Sequence, residues 1–232
     1  MSINQALGRA KRAGRQATHE VVAAVLREAI TTGKLKANQP LPQAEIAANL
    51  QVSHIPVREA LRQLESEGLV SYQANRGATV SALTTSEIRE IYEIRAMLET
   101  GAIRQAGPVL STAHLARAAL VLDRAELSSD GAEWGKLDME FHTLIYHLDD
   151  RPRLAELITE LLRRVDRYWL SHDLMLKYRD IFDQEHRELL AALNAHDGDR
   201  AVALLNAHLT GACDRLIAAI EAAERAAEPL TA

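Results

Sequence analysis

Asp138, His142, His186 and His208 are separated by four, forty-four and twenty-two residues, and each falls in a segment with the apolar period of a helix. Leu137, Phe141, Leu144, Ile145 and Leu148 form one apolar stripe, with Asp138 and His142 projecting from one side of the same helix. His186 continues the line of Phe182, Leu189, Leu190 and Leu193, and His208 that of Leu204, Leu205, Ala212 and Leu216. Taken alone, a histidine on an apolar face is most often a core residue satisfied by a hydrogen bond. Three of them with a carboxylate pose a different problem, because an ionised Asp138 buried without a partner is strongly disfavoured. A divalent cation shared with neutral imidazoles removes that penalty. Three imidazoles and a carboxylate suit zinc foremost, with nickel or another first-row ion as alternatives. His19, His54, His114, His147, His172 and His196 lack this combination and receive no ligand role.

A second set of residues has the chemistry to meet nucleic acid. Ser53, His54, Arg58 and Arg62 lie on the face of a short helix opposite Val57, Ala60, Leu61 and Leu64. A helix with a buried back and a Ser/His/Arg front suits a DNA major groove: arginine reaches guanine acceptors bidentately, and hydroxyls and amides at the helix start hold phosphates. On spacing alone an ordinary amphipathic surface helix fits equally well.

The elements that must carry this helix decide between the two. Val21, Val22, Val25, Leu26, Ala29 and Ile30 predict a first helix that stops at Gly33, and Ile46, Ala47 and Leu50 a second after Pro40-Leu41-Pro42. Gln51-Val52 turns into the third helix, for which Ser53 is a candidate cap. Gly68-Leu69-Val70 then starts a strand, and Asn75-Arg76-Gly77 reads as a hairpin turn before Ala78-Thr79-Val80. Helix, turn, helix and a two-stranded wing make a DNA-binding layout, with Arg76 and Gly77 at the wing tip within reach of a phosphate or a minor groove. Charge divides in the same way. Residues 1–80 hold ten Lys/Arg against six Asp/Glu, and the rest seventeen against twenty-six. A basic first third on an acidic remainder fits a DNA reader joined to a part that does not touch DNA.

From Thr84 onward only helical patterns follow, over 86–106, 111–127, 131–148, 152–170, 178–195 and 198–225, with Ser86 or Thr85 capping the first. The expected fold is mainly α: a winged helix-turn-helix over 18–80, a linker at 81–85, and an antiparallel bundle of about six helices over 86–226. A flexible basic arm at 1–17 and a tail at 227–232 complete it. Aromatic residues make up only 4% of the chain, which favours helix-on-helix packing. Cys213 is the sole cysteine, so an intrachain disulfide or thiolate cluster is excluded, and it reads as a buried structural thiol. No apolar run is long enough to span a bilayer and no secretory signal opens the sequence, so no membrane role and a cytoplasmic location are expected, with the protein on the bacterial nucleoid when DNA-bound.

The run Gly33-Lys34-Leu35, Leu41-Pro42, Glu45-Ile46-Ala47, Val52-Ser53, Pro56-Val57-Arg58-Glu59-Ala60-Leu61, Leu64-Glu65, Glu67-Gly68-Leu69-Val70 and Gly77 resembles the winged-helix domain of GntR-family bacterial transcription regulators. Gln51 stands where that family usually has Gly, and His54-Ile55 replaces the common Arg-Thr, so operator preference is not transferable from relatives. Asp138-Met139-Glu140-Phe141-His142, Glu185-His186-Arg187-Glu188-Leu189 and His208-Leu209 resemble the FCD effector domain of the FadR subfamily, in its shorter, VanR-like branch. Many of its members bind a divalent metal through one Asp and three His, and all four positions are filled here. The resemblance also implies an inward arginine that meets the ligand. Arg95, in Ile94-Arg95-Ala96-Met97-Leu98-Glu99, is the first candidate, ahead of Arg163, Arg164 and Arg167. A surface ion pair with Glu99 at the i,i+4 spacing accounts for it equally well.

Together these readings imply a ligand-responsive DNA-binding regulator, a repressor by the commoner habit of such proteins, and not an enzyme. A small carboxylate-bearing effector would bind the metal and Arg95, and a homodimer would occupy a near-palindromic double-stranded operator. Two alternatives carry the same residues: a sensor in which the ion is the signal, and a metal-dependent hydrolase. The hydrolase lacks a His-Glu-x-x-His base and has no use for residues 18–80.

Overall fold

The computed structural model describes residues 15–73, 77–171 and 174–227, and contacts divide the chain into two units between Ala82 and Leu83. The expected turn residues Asn75 and Arg76, most of the expected basic arm, and residues 228–232 of the tail lie outside the described residues.

In the first unit α1 (Arg15–Thr31), α2 (Gln43–Leu50) and α3 (His54–Ser66) pack around Val22, Ile30, Val57, Leu61 and Leu64, all at most 1% exposed. The apolar period of α1 turns Val22, Leu26 and Ile30 inward as expected, and Ala23 joins them. Arg27 on α1 holds Glu67 just past α3 in a bidentate pair at 2.7 and 2.6 Å. Antiparallel strands β1 (Val70–Gln73) and β2 (Gly77–Val80) form the wing in the register Val70↔Val80, Tyr72↔Ala78. The segment before α2 adds a third lane: Leu41 N–H donates to Ala78 O at 2.8 Å and Val80 N–H to Gln39 O at 2.9 Å. Helix α2 ends where Gln51 takes φ 53°, a left-handed conformation that glycine adopts without strain.

The second unit is all-helical: α4 (Thr85–Ala106), α5 (Thr112–Leu127), α6 (Gly131–Tyr146), a 3₁₀ turn (Leu148–Asp150), α7 (Pro152–Ser171), α8 (Leu174–Asn194) and α9 (Gly198–Ala227). Helix α4 packs along α9 and α5 along α6, while α8 touches α5, α6, α7 and α9. Most helix ends fall within two residues of the expected ranges, and three differences have a physical or positional interest. The cap of α4 is Thr84, not Ser86 or Thr85, because Thr84-x-x-Glu87 closes a capping box in which each residue serves the other's backbone N–H. Helix α6 stops at Tyr146, where His147 turns left-handed at φ 51°, although Leu148 stays buried in the stripe. Helix α8 starts four residues early, at Leu174 in place of 178. Cys213 is buried, as a structural thiol should be.

Candidate metal centre, ligand pocket and DNA-reading helix

Three helices of the second unit bring the inward histidines together: His142 from α6, His186 from α8 and His208 from α9. One ring nitrogen of each lies within 4.8 Å of the others, and all three side chains are buried. Asp138, one turn before His142, places Oδ1 3.6 Å from His142 Nε2 and 3.4 Å from His186 Nε2. It stands beside these two and outside the tight three-histidine group.

The surroundings fix which nitrogen His142 and His208 turn inward. Tyr146 donates its only hydroxyl proton to Glu99 Oε2 at 2.7 Å, so at 2.9 Å it accepts from His142 Nδ1–H. That leaves His142 Nε2 as the nitrogen turned toward Asp138. His208 Nδ1 donates to Glu185 Oε2 at 2.6 Å, and Glu185 is held in turn by Arg215 at 3.0 Å, which frees Nε2 of His208 in the same way. His186 Nε2 is buried and makes no hydrogen bond with the described residues. Burial drives His186 well below, and His208 below, the ordinary imidazole range, so both are neutral. Burial alone would raise Asp138, but its neighbour His142 above all holds it far below the usual carboxylate range. Two neutral rings, one of them with an orphaned nitrogen, beside a third imidazole and an ionised carboxylate make a donor set that suits a divalent cation. Of the residues that orient the rings, Glu185 stands in the quoted Glu185-His186 stretch without a role, and Tyr146, one turn after His142, was not singled out.

A small cavity opens beside this cluster, lined by Tyr92, Arg95, Trp134, Asp138, His142, Leu162, Asp166, Trp169, Met175, Phe182, His208 and Ala212. Arg95 combines both sequence readings. It is paired to Glu99 at i,i+4, Nε to Oε1 at 2.7 Å, but the pair is buried and Arg95 lines the cavity. Burial opposes the charge on both, yet each holds the other ionised, so Arg95 lies above and Glu99 below its ordinary range. Trp169 Nε1 donates to the Tyr92 hydroxyl at 3.0 Å on the same wall. Of the weaker arginine candidates, Arg163 is exposed, Arg164 pairs with Glu160, and Arg167 is buried against Tyr168. None of the three lines the cavity.

In the first unit, Ser53, His54, Arg58 and Arg62 are all exposed, opposite the buried Val57, Ala60, Leu61 and Leu64. Ser53 occupies the cap position of α3, but its side chain makes no capping bond. Neither Arg58 nor Arg62 has an ion-pair partner among the described residues. Gly77 opens β2 at φ 74° with open space around it, so its role is conformational. Arg76 lies outside the described residues. Tyr72 on β1, which the sequence reading passed over, is 40% exposed and feels the charges of Arg58 and Arg62.

Comparison with known proteins places both units. Residues 18–80 match the family described as bacterial regulatory proteins, gntR family, and residues 90–211 match the FCD domain. The chain is 31% identical over 202 residues to the HTH-type transcriptional repressor GlaR of Escherichia coli (strain K12), covering 79% of this chain and 89% of that protein. It is 29% identical over 185 residues to the Nta operon transcriptional regulator of Aminobacter aminovorans, covering 78% and 86%. The crystal structure of a GntR regulator from Rhodococcus sp. RHA1 superposes with a TM-score of 0.73 at 26% identity, over 86% of this chain and 97% of that one. These relatives are regulators of transcription, not enzymes, and no helix among the described residues is long and apolar enough to cross a membrane. The chain belongs to the GntR family of bacterial transcriptional regulators and carries an FCD domain behind its winged helix.

Proposed function

We propose that this regulator binds a near-palindromic double-stranded operator as a homodimer, and that a small carboxylate-bearing effector modulates that binding from a metal site in the FCD domain. Asp138, His142, His186 and His208 would hold the ion, zinc foremost and nickel or another first-row metal next. The observation that carries this reading is the buried, unbonded His186 Nε2 facing Asp138, with His142 and His208 already turned by Tyr146 and Glu185. When bound, the cation supplies positive charge and open positions for a carboxylate oxygen. The chain's own residues do the rest. Arg95 offers its terminal N–H groups to the acid with its charge already balanced by Glu99, and Trp134, Trp169 and Phe182 exclude water from the ligand's body.

On the DNA side Arg58 and Arg62 would reach base edges or phosphates, with Ser53, His54 and Gly77 placing the backbone and Arg76 on the wing. Effector and operator then oppose or favour one another through a single reciprocal coupling. The test is fluorescence anisotropy of promoter DNA with full-length protein, metal-loaded or chelated, against a set of small carboxylic acids. An acid that shifts the DNA affinity of the loaded protein alone supports the reading. A shift on chelation with no acid present would instead make the ion itself the signal.

A further inference from the structure

The metal-centred pocket proposed above leaves one carboxylate unused. Asp166, on α7, lines the cavity with Tyr92, Arg95 and Trp169. It is half-buried and has no hydrogen-bond or ion-pair partner among the described residues, so its donors must come from solvent or from a ligand. Of the two cations that act on Asp166, Arg163 is exposed and Arg95 gives its Nε to Glu99 in a buried pair. Tyr92 accepts from Trp169, which leaves its own O–H to donate into the cavity.

Charge then restricts what can enter. Arg95 and Glu99 cancel, Asp138 offsets half of a divalent cation, and a ligand carboxylate offsets the other half. Above neutrality a second ligand carboxylate facing Asp166 would meet a like charge, with Arg95 already shared between Glu99 and the first carboxylate. A hydroxyl or ammonium there would give Asp166 the donor it lacks. We infer that Asp166 selects the effector: the ligand is a carboxylic acid whose other end carries a hydrogen-bond donor, a hydroxyl or an ammonium group, and not a dicarboxylic acid. Burial supports this by raising the Asp166 carboxyl to about 7, so that near neutrality the site adapts to a neutral hydroxyl or a charged ammonium.

The inference rests on the metal-centred reading, and one titration separates the two. Zinc-loaded full-length protein is titrated calorimetrically with straight-chain acids of matched length: the plain monocarboxylate, the ω-hydroxy acid, the ω-amino acid and the dicarboxylate. The same series is run on Asp166→Asn and on His208→Ala. A hydroxy or amino acid is expected to bind about tenfold tighter than the plain acid, with the dicarboxylate weaker than either. Asp166→Asn keeps the hydroxy acid but loses at least the amino acid's advantage, which tells the two donors apart. A dicarboxylate that binds tightest, or a ranking that Asp166→Asn does not alter, overturns the inference while leaving the metal pocket standing. Failure of every acid to bind the loaded protein, or binding that His208→Ala leaves unchanged, overturns the metal-centred reading and the inference with it.

Discussion

The Tyr168 hydroxyl accepts the backbone N–H of Leu83 at 2.6 Å, tying α7 to the residue that precedes the cap of α4. Two neighbours of Tyr168 on α7, Asp166 and Trp169, face the ligand cavity. One helix therefore touches the pocket on one side and the start of the effector unit on the other.

Tyr168→Phe removes the acceptor of both the Leu83 N–H and Arg167 Nη2 and keeps the ring. Leaving the Leu83 N–H without its partner should cost about 1–2 kcal/mol, read as a lower denaturant midpoint at unchanged slope. Metal content should not change. A midpoint equal to the wild type would mean that solvent serves the N–H equally well.

Arg58→Ala should leave stability within about 0.5 kcal/mol, since the side chain is exposed on α3 and unpaired among the described residues. Operator affinity should fall by about 1–3 kcal/mol, with relaxed preference at one position in each half-site. An even loss across sequences with a shallower salt slope would assign Arg58 to phosphate instead. Full-strength binding would remove α3 as the reader.

Asp166 makes stability depend on pH in a stated direction. Its folded carboxyl is raised to about 7 by burial first, with Asp138 and Glu99 adding to the shift against the pull of Arg95. An unfolded aspartate titrates near ~3.9. Between these values the folded protein keeps a proton that the unfolded chain releases. This group's stabilising contribution is thus complete below about pH 4 and lost as pH rises through about 7. Asp166→Asn cannot ionise, so its melting temperature should gain on the wild type between pH 5 and pH 8, by the equivalent of about 1–3 kcal/mol. A constant difference across that range would contradict the burial of Asp166.

Gln51 takes the left-handed turn between α2 and α3 at φ 53°. Gln51→Gly removes the side-chain strain but adds freedom to the unfolded chain, for a net gain of about 0.5–1 kcal/mol in a thermal melt. A loss of stability would show that the Gln51 side chain contributes contacts worth more than the strain.

The parts legible in the sequence were those set by local period. Phe141, Leu189 and Leu205 fall at helical spacing, and that alone turned His142, His186 and His208 inward. The Val57, Ala60, Leu61 and Leu64 stripe exposed Arg58 and Arg62 for the same reason. What the period could not carry was pairing across the bundle. Tyr146 and Glu99 are 47 residues apart and His208 and Glu185 are 23 apart, so no local pattern joins them. The Arg95–Glu99 spacing was readable, but its burial was not, because α9, far along the chain, covers α4. Thr84-x-x-Glu87 was a readable capping box, and Ser86 has no such partner three residues on.

The most direct test of the account is the metal content of untagged, purified protein by mass spectrometry, beside His208→Ala. The account predicts about one equivalent of a first-row divalent metal per chain. It predicts loss of that metal in a variant that still folds and still binds DNA. Metal absent from both, or retained in the variant, would contradict the four-residue centre. The three inward histidines would then stand as core residues or as direct contacts to the ligand.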